Sequence, residues 1–204
     1  MEQGNKIADP EFVYRQSVDK QRVVITGGQS RMITALVMYV LKHYHREFDY
    51  VTQVPLNGAI SLGSIADAPL ILIQEKEKPT GSILKYRHHI GVISDIERSD
   101  EQVISQFADA TPKGGFLIYS ETEPAQTIGK KERPGNTALP YKANLHIIEN
   151  GKVILISHNK ERFPTPLSGE TNLRNLCAAK EILKKIGIPS DLFYPAISGF
   201  EGYF

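Results

Sequence analysis

The chain has 204 residues, of which 41% are hydrophobic, and this length allows one domain with a sizeable core. Its 24 basic and 23 acidic residues leave a formal charge of +1, so the composition gives no reason to expect a nucleic-acid or membrane-surface partner. No apolar run has the length of a transmembrane helix, and the polar N-terminus does not resemble a signal peptide. We expect residues 1–18 to form a tether and residues 19–204 to form the domain.

The first half of the chain predicts strands that alternate with helices and loops. The apolar run Arg22–Thr26 predicts a buried strand, and a Gly-Gly turn leads from it into an amphipathic helix that Ser30 is expected to cap. Phe48–Val54 is a second strand candidate, and Gly58–Pro69 is predicted to be loop. Leu70–Gln74 is a fully apolar strand of the type found inside parallel sheets.

The middle of the chain continues this alternation. Ile90–Ser94 and Phe116–Ser120 are two further apolar runs that predict buried strands. Between them, Ser99 and Gln102 have the spacing of a capping box, which predicts a helix that opens at Ser99.

Near residue 137 the pattern changes to short strands. Residues 137–158 surround an Asn150-Gly151 turn, which is a strong hairpin signal. Helices are then predicted over Thr171–Ile186 and Ser190–Ser198. Cys177 lies on the apolar face of the first of these, so we expect a buried hydrophobic role and not a nucleophile, and the lone cysteine fits a reducing cytoplasm.

These elements predict an α/β fold of the P-loop type: a doubly wound, mostly parallel sheet with helices on both faces and a small antiparallel hairpin patch. Ligands in such sheets bind at the carboxyl ends of the strands, so the loops after Thr26, Gln74 and Ser94 are the candidate site. The residues expected to be almost fully buried are Leu36, Val40, Leu173, Leu176 and Cys177.

Several stretches, in this order, resemble the central, ATP-binding domain of the Mur ligase family. They are DKQRVVITG, DAPLILIQEKE, IGVISDIERSDE, FADATPKGGFLIY, LSGETNLRNLCAAKEILKKIGI and AISGFEGYF. FADATPKGGFLIY and KERP are most similar to the branch that attaches murein tripeptide to UDP-N-acetylmuramate. The resemblance implies ligation of an amino acid or peptide to a UDP-muramyl precursor through an acyl-phosphate, with ATP and Mg²⁺ as cofactors. It also implies that the family's N- and C-terminal domains are absent from this chain.

The family's phosphate-binding loop, T-G-T-x-G-K-[ST]-[ST], falls on the turn after the first strand. Thr26 and Gly27 match it, but the loop is one residue short, and Met32-Ile33 stand near the hydroxyl positions. No lysine is present, and Arg31 is not a conservative replacement for one. The resemblance implies a vestigial nucleotide site at Thr26, Gly27, Gly28, Ser30 and Arg31, and the alternative is an ordinary strand–turn–helix junction.

The metal positions of the family also carry different residues. The metal-binding glutamate falls on Gln74, although Glu75 could serve if the strand end shifted by one residue. The histidine of N-[IL]-x-x-D-H falls on Asp100, within the stretch Asp95–Asp100. Mg²⁺ prefers anionic oxygen ligands, so an amide weakens the site. Three acids in this stretch could bind a cation, but helix capping by Ser99 and Asp100 is the preferred interpretation.

The family's adenine-binding motif, H-N-x-x-N, is partly retained. Asn172 and Asn175 match the two asparagines, while Thr171 stands in place of the histidine. These amides could bind adenine or could equally hydrogen-bond a neighbouring loop. His88 and His89 are adjacent, so in an extended segment they point to opposite faces and are not expected to share a metal.

Because the phosphate lysine, the metal glutamate and the metal histidine are all replaced, the sequence predicts a degenerate, non-catalytic Mur-type central domain related to peptidoglycan precursor metabolism in the cytoplasm. Weak or absent binding of ATP and Mg²⁺ is expected, with a nucleotide or UDP-muramyl precursor as the candidate ligand. The alternative is an ATP-dependent UDP-muramate–peptide ligase that is active only with its missing domains. An unrelated P-loop kinase or GTPase is disfavoured because no G-x-x-x-x-G-K-[ST] occurs.

Overall fold

The computed structural model describes residues 9–56, 59–60, 63–75 and 78–202. The helices are α1 (Pro10–Arg15), α2 (Ser30–His43), α3 (Glu101–Asp109), α4 (Ala125–Gly129), α5 (Glu170–Lys185) and α6 (Ser190–Ile197). The strands are β1 (Gln21–Thr26), β2 (Asp49–Val51), β3 (Pro55–Leu56), β4 (Ala59–Ile60), β5 (Gly63–Ser64), β6 (Leu70–Gln74), β7 (Ile90–Ile93), β8 (Phe116–Ser120), β9 (Thr137–Tyr141), β10 (His146–Glu149), β11 (Lys152–Ile156) and β12 (Arg162–Thr165). Two 3₁₀ turns cover Gly81–Tyr86 and Arg98–Asp100.

A mostly parallel sheet forms the centre of the domain, as the sequence predicts. Its strand order is β5-β2-β6-β1-β7-β8-β9, and neighbouring strands in it are parallel except β2 and β5, which are antiparallel. The four apolar runs occupy its middle as β6, β1, β7 and β8. The carboxyl ends of β6, β1 and β7 therefore lie side by side, which is where the candidate site was predicted.

Three details of the strand prediction are wrong. The candidate strand at residues 48–54 is shorter, because only Asp49–Val51 pairs with β6. The predicted loop over residues 58–69 contains the short strands β4 and β5, while Gly58 itself lies outside the described residues. Thr137–Tyr141, which was assigned to the hairpin patch, instead joins the main sheet parallel to β8.

The hairpin patch itself is a separate antiparallel sheet, β10-β11-β12. Asn150 and Gly151 connect β10 to β11 with φ values of 51° and 75°. Both lie in the left-handed region that a two-residue hairpin turn needs, which confirms the turn predicted from this dipeptide.

Helices cover both faces of the main sheet. Residues of α2, α5 and α6 pack in one cluster with the inner side chains of β1, β6 and β7, and residues of α3 and α4 pack in the other. Leu36, Val40, Leu173 and Leu176 are at most 3% exposed, as predicted. Cys177 is only partly buried, so its predicted full burial is wrong; it lies at the border of the buried face of α5. Burial still raises the pKa of its thiol.

The segment before β1 is not simply a tether. Helix α1 buries Val13 completely, and the ring of Tyr14 lies 4.5 Å from the guanidinium of Arg87 and 5.1 Å from that of Arg22. The second half of the predicted tether is therefore packed on the domain, and residues 1–8 lie outside the described part.

Both predicted helix caps are wrong. The N-cap of α2 is Gln29, and the Ser30 hydroxyl donates to the carbonyl of Glu75 at 3.1 Å. Helix α3 begins at Glu101 after a 3₁₀ turn, and no side chain caps it. In α2, the serine hydroxyl bonds to a carbonyl elsewhere in the fold and not to its own helix. In α3, a 3₁₀ turn takes the place of the predicted capping box. Within the described ranges, no helix is both long and apolar enough to span a bilayer.

Candidate functional site

The turn after β1 lies between the ends of β6 and β7. It needs glycine at position 27, where φ is +95°. A Cβ there would be 2.8 Å from the carbonyl oxygen of Asp95 and even closer to the Ser94 hydroxyl. The loop is therefore packed tightly against the residues that follow β7.

Backbone N–H groups of this turn bond within the protein. The N–H of Gly28 donates to the Asp95 carbonyl at 2.7 Å, and that of Ser30 donates to the Gly27 carbonyl at 3.0 Å. Between them, the N–H of Gln29 donates to the Ser94 hydroxyl at 3.1 Å. In a phosphate-binding loop such N–H groups point at the ligand. Here all three donate to acceptors of the protein itself, so they are not available to a phosphate in this conformation.

Ser94 holds the turn in this conformation. Its hydroxyl accepts from Gln29 and donates to the carbonyl of Thr26 at 2.8 Å, and its side chain is completely buried. It thereby ties the end of β1 to the turn. The hydroxyl of Thr26 is buried and has no hydrogen-bond partner within the described structure.

Helix α5 brings one of the two predicted asparagines to the turn. Asn175 is 1% exposed and donates to the side-chain oxygen of Gln29 at 3.0 Å. Asn172 is not part of this contact, because its amide donates to the carbonyl of Ser168 at 2.8 Å, before the start of its own helix. The asparagines were predicted either to bind a ligand or to bond a neighbouring loop, and in this structure Asn175 bonds the loop.

Gln74, at the family's metal position, uses both ends of its amide. Its oxygen accepts from the Thr52 hydroxyl at 3.0 Å and from the Gln53 N–H at 2.9 Å. Its nitrogen donates to the Glu75 carbonyl at 3.0 Å and lies 3.5 Å from the Ser30 hydroxyl. The position requires both a donor and an acceptor, and a carboxylate has no donor.

An ion pair that the sequence did not predict lies beside the turn. Arg174 of α5 places Nη2 3.3 Å from the carboxylate of Asp95, and its side chain is 16% exposed. The other carboxylate oxygen of Asp95 accepts from the hydroxyls of Thr122 at 2.9 Å and Ser120 at 3.3 Å. This carboxylate also raises the pKa of Tyr141, after the larger effect of burial. Within its own helix Arg174 also pairs with Glu170, at 2.9 Å, so no signal in the sequence pointed to Asp95.

The family's second metal position falls on Asp100, in the 3₁₀ turn before α3. The carboxylate of Asp100 lies 3.4 Å from the hydroxyl of Ser99, at the exposed 3₁₀ turn. In the part of the chain that the structure describes, no group of three or more His, Cys, Asp or Glu side chains could hold a metal ion. The cation site considered for the acids of residues 95–100 is therefore not formed there.

The adjacent histidines point in different directions, as predicted. His88 is 1% exposed, its ring centroid lies 4.2 Å from that of Phe107 with the two rings tilted by 41°, and its Nε2 lies 2.9 Å from the hydroxyl of Thr111. Burial lowers the pKa of His88 to about 3. His89 instead accepts the backbone N–H of Arg22 at 3.1 Å. Both histidines have structural partners.

Comparison with known proteins identifies the same fold in cell-wall ligases. The UDP-N-acetylmuramate–L-alanine ligase of Arthrobacter sp. strain FB24 is 24% identical over 203 residues. The match covers 88% of this chain and 43% of that protein, so the chain spans less than half of this relative's length. No family model matches the chain.

Solved structures extend this likeness at low sequence identity. A murein peptide ligase from Psychrobacter arcticus superimposes with a TM-score of 0.75 at 15% identity, over 95% of this chain and 50% of that one. The corresponding ligase from Neisseria meningitides gives 0.76 at 13% identity, over 96% and 71%. The MurF ligase of Thermotoga maritima in complex with ADP gives 0.67 at 14% identity, over 95% and 52%. The chain therefore has the fold of the Mur ligase central domain.

Proposed function

We propose that this chain is a Mur ligase central domain that does not catalyse ATP-driven ligation and acts as a binding or scaffold module in cytoplasmic peptidoglycan precursor metabolism. The observation that carries the proposal is the occupied turn. Gly28, Gln29 and Ser30 direct their N–H groups at protein acceptors, so they offer a phosphate no donors without rearrangement.

The electrostatics of the turn support the same conclusion. Phosphoryl transfer depends on cations that stabilise the charge of the γ-phosphoryl group. The family lysine is absent from the turn, and the basic residue that directly follows it is Arg31 in the first turn of α2. Its planar guanidinium on a different stem does not reproduce the point charge of a lysine ammonium.

The metal half of the family site also does not fit Mg²⁺. Gln74 offers an amide oxygen that already accepts two hydrogen bonds. Asp100 lies on a 3₁₀ turn, and among the described residues it belongs to no group of three His, Cys, Asp or Glu side chains that could hold a metal ion. Mg²⁺ sites normally combine carboxylates with substrate phosphates in octahedral geometry. The residues at these positions therefore do not fit an Mg²⁺ ion of the kind that ATP-dependent ligation needs.

The enzyme alternative rests on the sequence match to a muramate–alanine ligase along most of this chain. It requires Arg31 to replace the lysine and Glu75 to replace the metal glutamate. The UDP-muramyl and amino-acid sites would then come from domains outside this chain. In either case the candidate ligand class is a nucleotide or a UDP-muramyl precursor.

Calorimetric titration of ATP at low salt, with and without Mg²⁺, separates these functions. We expect binding no tighter than the order of millimolar, or about 4 kcal/mol, with no dependence on Mg²⁺. Micromolar binding that needs Mg²⁺ would contradict the proposal and support the enzyme. The matched variant is Arg31→Ala: weak binding that disappears in it identifies a residual anion site, and no binding in either protein identifies a plain turn.

A further inference from the structure

A cavity of about 480 Å³ lies beside the C-terminal end of α4. It is lined by Tyr119 of β8, by Ala138 of β9, and by residues 129–134 and 136 at the end of α4 and in the loop after it. Small-molecule sites usually have volumes of about 300–1,000 Å³, so this cavity, which we call the α4 cavity, is large enough for one. None of the residues that line it belongs to the turn after β1 or forms a hydrogen bond with that turn. The α4 cavity is therefore separate from the candidate site described above.

The wall of the α4 cavity is basic. Lys130, Lys131 and Arg133 line it together with one acid, Glu132, which leaves a net charge of +2 on a chain whose total charge is only +1. Within the described residues neither lysine forms an ion pair, and Nζ of Lys131 lies 3.4 Å from the hydroxyl of Ser105. A wall of one sign of charge raises the local concentration of ions of the opposite sign. The charge of the cavity therefore favours an anionic ligand.

Arg133 contributes a buried nitrogen that has no acceptor. Its side chain is only 8% exposed, and its Nε donates to Asp109 at the end of α3 at 2.8 Å. Its Nη1 donates to the carbonyls of Ile128 at 3.0 Å and Lys131 at 2.9 Å. Its Nη2 is buried and has no hydrogen-bond partner among the described residues. Because a buried donor without an acceptor is unfavourable, this nitrogen indicates that the wall of the cavity binds an acceptor.

Tyr119 contributes a second polar group without a partner. It is 5% exposed and lines the cavity, and in the described part of the chain its hydroxyl forms no hydrogen bond. Its ring lies against the end of α4, since a Cβ at Gly129 would be 2.1 Å from the ring. Burial, with a smaller effect of Glu121, raises the pKa of Tyr119, so its hydroxyl is protonated at neutral pH and can donate. Buried tyrosine hydroxyls usually have a partner, and a molecule in the cavity would supply one.

Hydrogen bonds hold the loop after α4 in place. The three bonds of Arg133 tie this loop to the ends of α3 and α4. Further along the loop, the carbonyl of Gly135 accepts from the N–H of Gly114 at 2.6 Å, which ties it to the segment before β8. The donors on the cavity wall are therefore partly ordered before a ligand binds, and this lowers the entropic cost of binding.

We propose that the α4 cavity binds the phosphate group of a small molecule, held by Lys130, Lys131, Arg133 and the hydroxyl of Tyr119. The net charge of the wall matches a phosphate dianion, whose oxygens accept charge-assisted hydrogen bonds from these donors. A carboxylate brings a single charge and fewer acceptor oxygens. Since a water molecule occupies about 30 Å³ in the liquid, the cavity also has room for the group that carries the phosphate. The site does not depend on nucleotide binding at the turn after β1.

An NMR titration of the whole chain at low salt and about pH 7.5, where a phosphate monoester is largely a dianion, tests the site. The probes are inorganic phosphate, glycerol 3-phosphate and acetate. The amide signals of residues 130–133 should shift and saturate with a Kd of about 1 mM or below for at least one phosphate probe, and acetate should bind at least about tenfold more weakly. Tighter binding of the ester identifies an esterified ligand and equal or tighter binding of inorganic phosphate identifies the free ion, and both support the site. The absence of saturable shifts up to about 20 mM, or acetate binding as tight as that of phosphate, would overturn the proposal.

Matched variants distinguish the α4 cavity from general charge attraction. Lys130→Gln combined with Lys131→Gln removes two cations from the cavity and should lower the phosphate affinity at least about tenfold. The control combines Lys152→Gln with Lys160→Gln, which makes the same change in charge at two exposed lysines outside the cavity and should alter the affinity by less than about twofold. Tyr119→Phe removes only the hydroxyl and should weaken binding about fivefold. Equal losses of affinity in the two lysine pairs, or full affinity in Tyr119→Phe, would contradict the proposed site.

Discussion

Replacing Gln74 by glutamate restores the residue type that the ligase family uses for metal binding, and we expect the change to destabilise the fold. The amide oxygen of Gln74 accepts from Thr52 and Gln53, and its nitrogen donates to the Glu75 carbonyl at 3.0 Å. A carboxylate keeps the acceptor but places a second oxygen against that carbonyl. The side chain is 9% exposed, so water cannot replace the lost donor.

The magnitude follows from this geometry. Removing one partner of a buried hydrogen bond costs about 1–3 kcal/mol, and more when a charged group is left unsatisfied. For a chain of this length, each kcal/mol lowers the melting temperature by roughly 2–4 °C. The buried carboxyl should have a folded-state pKa above its unfolded value of about 4.3. Its cost is therefore absent below that unfolded value and grows as the pH rises toward the folded-state pKa.

Urea unfolding of Gln74→Glu at several pH values measures this effect. Thr52→Val is the control, because it removes one donor to the same oxygen without adding charge, and its cost should not depend on pH. A Gln74→Glu protein as stable as wild type at neutral pH would refute the hydrogen-bond argument. Stabilisation of that variant by millimolar Mg²⁺ would show that only one substitution separates this site from a working metal site.

Three further predictions concern the core and its titrating groups. Because burial holds the pKa of His88 at about 3, below the ordinary 6.5, the unfolded chain takes up the proton first as the pH falls. Unfolding experiments should show stability lost by about 1.4 kcal/mol per pH unit below about 6.5, with a smaller slope in His88→Asn. Leu176→Ala should cost roughly 2–5 kcal/mol in chemical denaturation, whereas the exposed Leu145→Ala should change stability by under about 0.5 kcal/mol. Since burial raises the pKa of Cys177, its reaction with a thiol reagent near neutral pH should be slower than that of free cysteine and should accelerate in urea.

The central strands could be predicted because their signal is local. Leu70–Ile73 and Ile90–Ile93 are apolar throughout, since helices cover both faces of the sheet. Strand β9 was assigned to the wrong sheet because it is an edge strand with exposed residues and a proline, so its sequence resembles a peripheral hairpin. Pairing partners of such a strand are decided by tertiary contacts and not by its own pattern.

The residues of the turn could be located from the sequence, but their hydrogen bonds could not. Gly28 bonds to the carbonyl of Asp95, a backbone group 67 positions later that carries no sequence signal. Serine is a common helix-capping residue, yet the hydroxyl of Ser30 donates to the backbone carbonyl of Glu75, because the end of β6 lies beside it. The ion pair between Asp95 and Arg174 likewise joins the loop after β7 to helix α5, which only the fold brings together.

The most direct measurement of the central claim is an NMR titration that follows the backbone amide signals of Gly28, Gln29 and Ser30 while Mg-ATP is added. We expect these three amides to show no saturable shift below about 1 mM ATP, since they remain bonded to protein acceptors. Saturable shifts of the same three amides at micromolar ATP would contradict it, because they would show that the turn opens and binds phosphate.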